Sequence, residues 1–267
     1  MNRLRRSFAP ISDAAWHQID DEATQALENF LAGRRLVDFV GPLGWEASSV
    51  STGRTEAEPG FEGNGVVVRR RTSLDLYELR TPFSVARAEL DAIDRGARDA
   101  DLSPVLEAAK RAALAEDTAI FHGIPGAGFT GLAEGSPHKA LTISEDVQAY
   151  PTVVAQAVAD LQDAGVTGPY ALAVGTRCYQ NIIETSERGG PLLKHLRLIL
   201  EGPLVWARAV DGAVVLSQRG DDAELVVGGD FAIGYERHDD DHVDLYLEES
   251  LTLRILAPEF ALPLTHA

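Results

Sequence analysis

Residues 46–80 read EASSVSTGRTEAEPGFEGNGVVVRRRTSLDLYELR. Gly53, Pro59, Gly60, Gly63 and Gly65 punctuate a polar middle, and the two flanks, Ala47–Thr52 and Val66–Arg80, alternate or carry β-branched residues. Runs of that kind bounded by glycine and proline predict strands, and the glycine-dense centre predicts a loop tip. The segment is therefore expected to be a long two-stranded excursion. A two-stranded hairpin is marginal in water when it stands alone. One of this length buries little on its own chain, so it is expected to lie on a neighbouring subunit.

Upstream, Ser12 is placed to cap a helix running to about Leu31, with Gly33 just beyond its end. Trp16, Ile19, Ala23, Leu27, Phe30 and Leu31 follow helical spacing and form one apolar stripe. Leu36–Phe39 reads as a short strand, and residues 41–44, Gly-Pro-Leu-Gly, as a turn. Downstream, Ser103 and Pro104 are expected to open a long helix ending at Gly123, with Ser103 as its cap. Residues 123–150 read as loop-rich. A third helix is expected from Pro151 to Gly165, then an apolar strand over Tyr170–Val174 and helices near 176–186 and 192–200. Strands are expected at 203–207, 213–217, 223–227, 231–235 and 242–256. In the last, Val243, Leu245, Leu247, Leu251, Leu253 and Ile255 alternate, so one face is buried. Helices set among long antiparallel strands, without a regular βα rhythm, make this an α+β chain.

Composition narrows the function. A net charge of −17 opposes general nucleic-acid binding, because phosphate contacts need clustered lysine and arginine. The internal basic run, Arg69, Arg70 and Arg71, falls in the strand-like flank and suits a solvated or intersubunit strand. No run of about 18 apolar residues predicts a membrane span. The basic first residues lack an apolar core, so no leader is expected and the chain is placed in the cytoplasm. The single cysteine, Cys178, can form neither an intrachain disulfide nor a cysteine-based metal cage, and its helical context suggests a small buried apolar side chain.

Candidate chemistry is weak throughout. Gly126, Gly128 and Gly131 match G-x-G-x-x-G, but a helix precedes them and a loop follows, the reverse of a dinucleotide site; a structural turn is expected. His238, Asp239, Asp240, Asp241 and His242 alternate direction on an extended chain, so an acidic turn is expected and no metal site. The acids Asp20, Asp21 and Glu22, and Glu116 with Asp117, read as solvated helix faces or partners for arginine. His122 lies where an imidazolium favours a helix C-terminus, and His17 and His195 read as exposed. There is no nucleophile elbow, phosphate-loop lysine motif or zincin motif. No catalytic residue, cofactor or metal is therefore assigned.

Short stretches of the sequence, taken in order, resemble one known protein family. The resemblance rests on Arg6–Pro10 with Trp16, Ile19 and Asp20, on Gly33–Asp38, and on Gly41, Pro42 and Gly44–Glu46. It continues through Glu78–Phe83, Leu90, Asp91, Arg95 and Gly96, then Glu116, Asp117 and Ile120–Gly123. Gly165–Tyr170 is similar to the family's GVxGPY turn, and Gly228, Asp230, Ile233–Tyr235, His238, Asp239, Leu245, Tyr246 and Glu248–Ser250 close the series. These segments span nearly the whole chain in order, and the family they resemble is that of the encapsulins, earlier described as linocin-type bacteriocins.

The resemblance implies a Hong Kong 97-type phage major capsid fold. Its parts would be an N-terminal helix and arm (1–45), an extended loop (46–80), a peripheral domain with a spine helix (81–134), an axial domain (135–225) and C-terminal strands returning to the peripheral domain (226–267). It implies a homo-oligomer, an icosahedral shell of about sixty subunits built by closed symmetry. It also implies a cargo enzyme, a dye-decolourising peroxidase or ferritin-like protein, held through its C-terminal targeting peptide. Carried over by position, the peptide would meet Arg34, Val37, Asp38, Ile233 and Tyr235, with Val37 and Ile233 giving apolar contact and Arg34 and Asp38 fixing orientation. The other reading of these residues is ordinary core with a local ion pair. A fivefold pore loop maps onto Ser186, Glu187, Arg188, Gly189 and Gly190, where the family's Gly-Tyr-Pro is here Gly189, Gly190 and Pro191. The alternatives are a phage or prophage capsid protein, which shares the fold, and a bacteriocin or peptidase, for which no nucleophile is seen.

Overall fold

The computed structural model describes residues 3–58, 66–187 and 192–266, with the side chains of Ser186 and Glu187 left out. In chain order the elements are α1 (Asp13–Phe30), β1 (Asp38–Val40), β2 (Ser49–Ala57), β3 (Arg69–Asp75), β4 (Tyr77–Ala86), α2 (Arg87–Asp94), α3 (Ser103–His122), α4 (Leu132–Gly135), β5 (Leu141–Ile143) and α5 (Tyr150–Asp163). There follow β6 (Tyr170–Val174), α6 (Thr176–Glu187), α7 (Leu192–Leu200), β7 (Leu204–Trp206), β8 (Ala213–Ser217), β9 (Ala223–Val227), β10 (Ala232–His238), β11 (His242–Ile255) and β12 (Ala261–His266).

Two five-stranded sheets and one separate pair of strands carry the architecture. In the first sheet, β11 is the long central strand. It pairs antiparallel with β4 along one edge, and with β10 and then β9 along the other, while β1 runs parallel to β9. The second sheet has the order β5-β12-β8-β6-β7. The third is β2 against β3, from Ser49 opposite Asp75 to Ala57 opposite Arg69.

The helix α3 joins two apolar cores. Val105, Ala108, Ala109 and Ala112 pack with Trp16, Ile19, Phe83, Val85, Leu90, Ile93, Val243, Leu245 and Leu247. Ala119, Ile120 and Phe121, about two turns further on, pack instead with α5, α7, β6, β8 and β12 and with Leu251 and Leu253. Residues 243, 245, 247, 251 and 253 all face one side of β11, as the alternation of a strand requires. One face of β11 thus accompanies α3 from the first core to the second. At the change-over, the strand presents Glu249 and the helix presents Glu116 and Asp117, all buried.

Several local expectations are corrected. Ser103 is the first residue of α3 rather than its cap; the carboxylate of Asp101 accepts from Ser103 N at 3.0 Å instead. Glu116 and Asp117 form no solvated face, being 0% and 1% exposed; their other expected role, as arginine partners, holds for Glu116. The stretch 123–150 contains α4 and β5, and α2 and β12 arise where no element is expected. Ser12 does cap α1, its Oγ accepting from Ala15 N at 3.1 Å. The glycines of the G-x-G-x-x-G stretch make a turn closed by the Ile124–Phe129 bridge, with Gly126 and Gly128 at φ 78° and 76°. Asp239 ties the β10–β11 tip by accepting from the N–H groups of Asp241 and His242. Cys178 is free and buried.

Candidate functional site

The candidate site begins where α1 ends. Leu31 leaves the helix, a short 3-10 turn spans Gly33–Arg35, and β1 follows. Asp117 of α3 holds this turn in place, accepting from Ala32 N at 3.1 Å and from Gly33 N at 2.7 Å. Gly33 packs against Ile120 so closely that a Cβ there would lie 2.4 Å from its side chain and force that side chain to move. The turn aims Arg34 into the seam between the two cores.

Arg34 is 17% exposed. Its guanidinium meets both Glu116 oxygens, Nε at 2.9–3.0 Å and Nη2 at 2.8 Å; it also contacts Glu249, and reaches Asp230 Oδ1 at 2.9 Å. The rings of Phe39 and Phe231 flank it, with centroids 5.2 and 5.1 Å from Cζ. Burial opposes the guanidinium's charge. The hydrogen bonds and charge of Glu116, with the charges of Glu249 and Asp230, more than offset this and hold its proton more tightly than usual. Burial and the Glu116 charge push the Glu249 carboxyl well above the usual range, against the pull of Arg34. Burial likewise pushes Asp117 up to about 7, against the two backbone N–H groups it accepts from.

The structure brings three of the five expected peptide-binding residues to one place. Arg34, Val37 and Asp38 line a cleft of about 110 Å³ with Gln218, Asp222 and Phe260, and Asp38 accepts from Asp221 N at 2.7 Å. Val37 packs on the second core. Ile233 and Tyr235 lie inside the first core, 3% and 9% exposed, and Tyr235 N donates to Leu4 O at 2.8 Å as the N-terminal segment crosses β10. The residues missed are Phe39, 41% exposed beside Arg34, Phe231 and Asp230. The sequence held a signal for Phe231: it lies two positions before Ile233 and so shares its strand face. Of the expected pore loop, Ser186 and Glu187 end α6, and their side chains, with Arg188, Gly189 and Gly190, lie outside the described residues.

The fold and the sequence both have known counterparts. A virus-like particle from Pyrococcus furiosus superposes with a TM-score of 0.66 at 17% identity, covering 92% of this chain and 98% of that one. The capsid of Myoviridae phage XM1 gives 0.57 at 14% identity over 88% and 90%. These likenesses establish the Hong Kong 97-type capsid fold. A type 1 encapsulin shell protein of Rhodospirillum rubrum is 54% identical, over 99% of this chain and 96% of its own. One of Mycobacterium tuberculosis is 42% identical over the whole of both. A diheme-cytochrome-encapsulin shell fusion protein of Kuenenia stuttgartiensis is 25% identical over 93% of this chain and 72% of that one. The family model described as encapsulating protein for peroxidase matches residues 1–252. The chain belongs to that family, the encapsulin shell proteins.

Proposed function

We propose that this chain is the subunit of an icosahedral shell of about sixty copies, acting in the cytoplasm, without catalysis of its own. In this reading 46–80 is the extended loop, 81–134 the peripheral domain with α3 as its spine, 135–225 the axial domain, and 226–267 the returning strands. The observation that carries it is the β2–β3 pair. Its strand pairing is wholly internal, most of its residues are exposed and none is buried. An unsupported ribbon of two strands is only marginally stable in water; adding it to the surface of the next copy supplies what it lacks.

The cleft at Arg34 is then the site for the C-terminal peptide of a cargo enzyme, a peroxidase or a ferritin-like protein. The family is described as encapsulating protein for peroxidase. Within the cleft, Val37 offers half-buried apolar surface and Asp38 a carboxylate at the rim, while Phe39 offers exposed apolar surface beside Arg34. Arg34 is already engaged by three carboxylates, so it orients Phe39 and Phe231 rather than gripping the peptide. Ile233 and Tyr235 belong to the first core and line no part of this cleft.

Co-expression with a peptide-tagged peroxidase tests both parts. Negative-stain images of the purified protein are expected to show closed shells, and mass spectrometry to find the tagged enzyme inside. Phe39→Ala is expected to leave the shells intact and lower cargo content at least severalfold. Shells that fill equally well with this variant would remove the cleft from consideration. A monodisperse folded monomer at high concentration would remove the shell itself.

A further inference from the structure

A second arginine stands in a built setting away from the seam. Arg208 follows β7, and its guanidinium lies between two aromatic rings, 3.7 Å from the centroid of Trp206 and 4.2 Å from that of Phe30. Trp206 stacks in turn on Tyr179 of α6, with centroids 4.9 Å and planes 6° apart, and its indole N–H donates to Thr176 Oγ1 at 3.1 Å. Tyr179, Trp206, Arg208 and Phe30 thus form one stack from α6 to the end of α1. A guanidinium covered on both faces can offer only its edge, which carries the N–H donors.

That edge has no protein partner among the described residues, neither carboxylate nor carbonyl. Burial lowers the Arg208 pKa, and the charges of Asp117 and Tyr179 oppose this only in part, as expected of a cation drawn partly out of water without a contacting counter-ion. It opens on a cleft of about 420 Å³ lined also by Thr176, Arg177, Gln180, Val210 and Asp211. Arg177 is occupied by Glu145. Asp211 is exposed and, among the described residues, pairs with no cation, Arg208 included. Two opposite charges three residues apart therefore share one cleft and leave each other free.

We propose that this cleft binds a small organic acid carrying a hydrogen-bond donor beside its carboxylate, an α-amino or α-hydroxy acid. Arg208 takes the carboxylate through two parallel N–H bonds, the geometry a fixed guanidinium edge favours. Asp211 takes the neighbouring ammonium or hydroxyl. Its negative charge selects against a phosphate dianion, which would otherwise suit the same arginine. The volume falls within the range of about 300–1,000 Å³ usual for small-molecule sites. The lining of this cleft shares no residue with that of the Arg34 cleft.

The test uses the assembled protein and titrates glycine, lactate, acetate and inorganic phosphate at constant ionic strength. Binding is followed by tryptophan fluorescence, with Trp206→Phe identifying the signal that belongs to the stack. Glycine and lactate are expected to give saturable changes, and acetate, lacking the donor, to bind about tenfold more weakly, the equivalent of one charge-assisted hydrogen bond. Asp211→Asn is expected to erase most of the preference for glycine and lactate over acetate. Arg208→Gln is expected to abolish all responses, and Arg208→Lys, which keeps the charge without the fork, repeats the measurement if the glutamine variant does not fold. Non-saturable responses, responses unchanged in both Arg208 variants, or phosphate binding more tightly than lactate would each overturn the proposal. So would wild-type shells that bind none of the acids while Arg208→Gln fails to assemble; that pair of results assigns the arginine to a carboxylate of a neighbouring copy.

Discussion

Glu249 occupies an apolar position. Val243, Leu245, Leu247, Leu251 and Leu253 share its face of β11, and all are buried. Its Oε2 is buried without a hydrogen-bond partner among the described residues, while its other oxygen meets Arg34. Glu116, equally buried, takes the bidentate side of the same guanidinium. One cation thus serves two buried carboxyls, and burial with the Glu116 charge favours the neutral form of Glu249. A neutral isostere is therefore tolerated at one position and not at the other. Glu249→Gln is expected to change stability by less than about 1 kcal/mol, and Glu116→Gln, which breaks the fork, by clearly more. Arg34→Ala strands the acids and is expected to cost about 3–5 kcal/mol. Thermal unfolding of purified shells, read by tryptophan fluorescence, orders the three. Equal losses for the two glutamine variants would refute this division of roles.

At the scale of elements, Asp117 joins the turn after α1 to the middle of α3, so its titration acts on how the N-terminal helix is held. Its pKa rises from 3.8 to about 7, chiefly through burial. The folded chain therefore holds this proton more tightly than the unfolded chain does. The stabilising contribution is full below about pH 4, falls as pH rises from about 4 towards 7, and is lost above that. Glu249 shifts in the same direction. Asp117→Asn is expected to flatten the part of the melting-temperature profile between pH 4 and 7, and a wild-type profile that climbs steadily with pH, unaltered by this substitution, would exclude the assignment.

The same junction marks the limit of what was legible. Elements with a clear period or clear punctuation read correctly: α1 within a residue, α5 and α6 within one or two, and β6, β8 and β9 to their ends. Elements without either were invisible. The helix α2 is eight residues long with only Leu90 and Ile93 buried, and β12 carries Pro263 inside it. Glu116 and Asp117 looked solvated because helical spacing says nothing about what packs on a helix's polar side. The parity of Glu249 with its apolar neighbours did give warning, since an acid in a buried row needs a partner. Arg34 was named from the resemblance and not from any local pattern. Phe39 on β1 and Phe231 just before β10 flank it from points 192 positions apart in sequence, a proximity that no local pattern carries.

For the whole molecule, the decisive quantity is apolar surface that the single chain leaves in water. Val66, Val67 and Val68 lie on the hairpin with 53%, 75% and 38% of their surface exposed. Three consecutive exposed β-branched residues on a ribbon edge invite pairing with another chain, while the net charge of −17 opposes indiscriminate association. Covering one valine gains about 1.5–2 kcal/mol, and closed symmetry repeats that gain at every subunit contact. A charge at the most exposed of the three therefore acts on assembly and barely on the fold. Val67→Asp is expected to leave the circular dichroism spectrum of the subunit unchanged and to shift most of the protein from the shell fraction to small species in velocity sedimentation. Adding salt is expected to recover little, because the penalty is a carboxylate buried against an apolar surface rather than long-range repulsion. Wild-type shell yields from this variant would mean that the hairpin's apolar edge faces solvent in the assembled particle, and that closure depends on other surfaces.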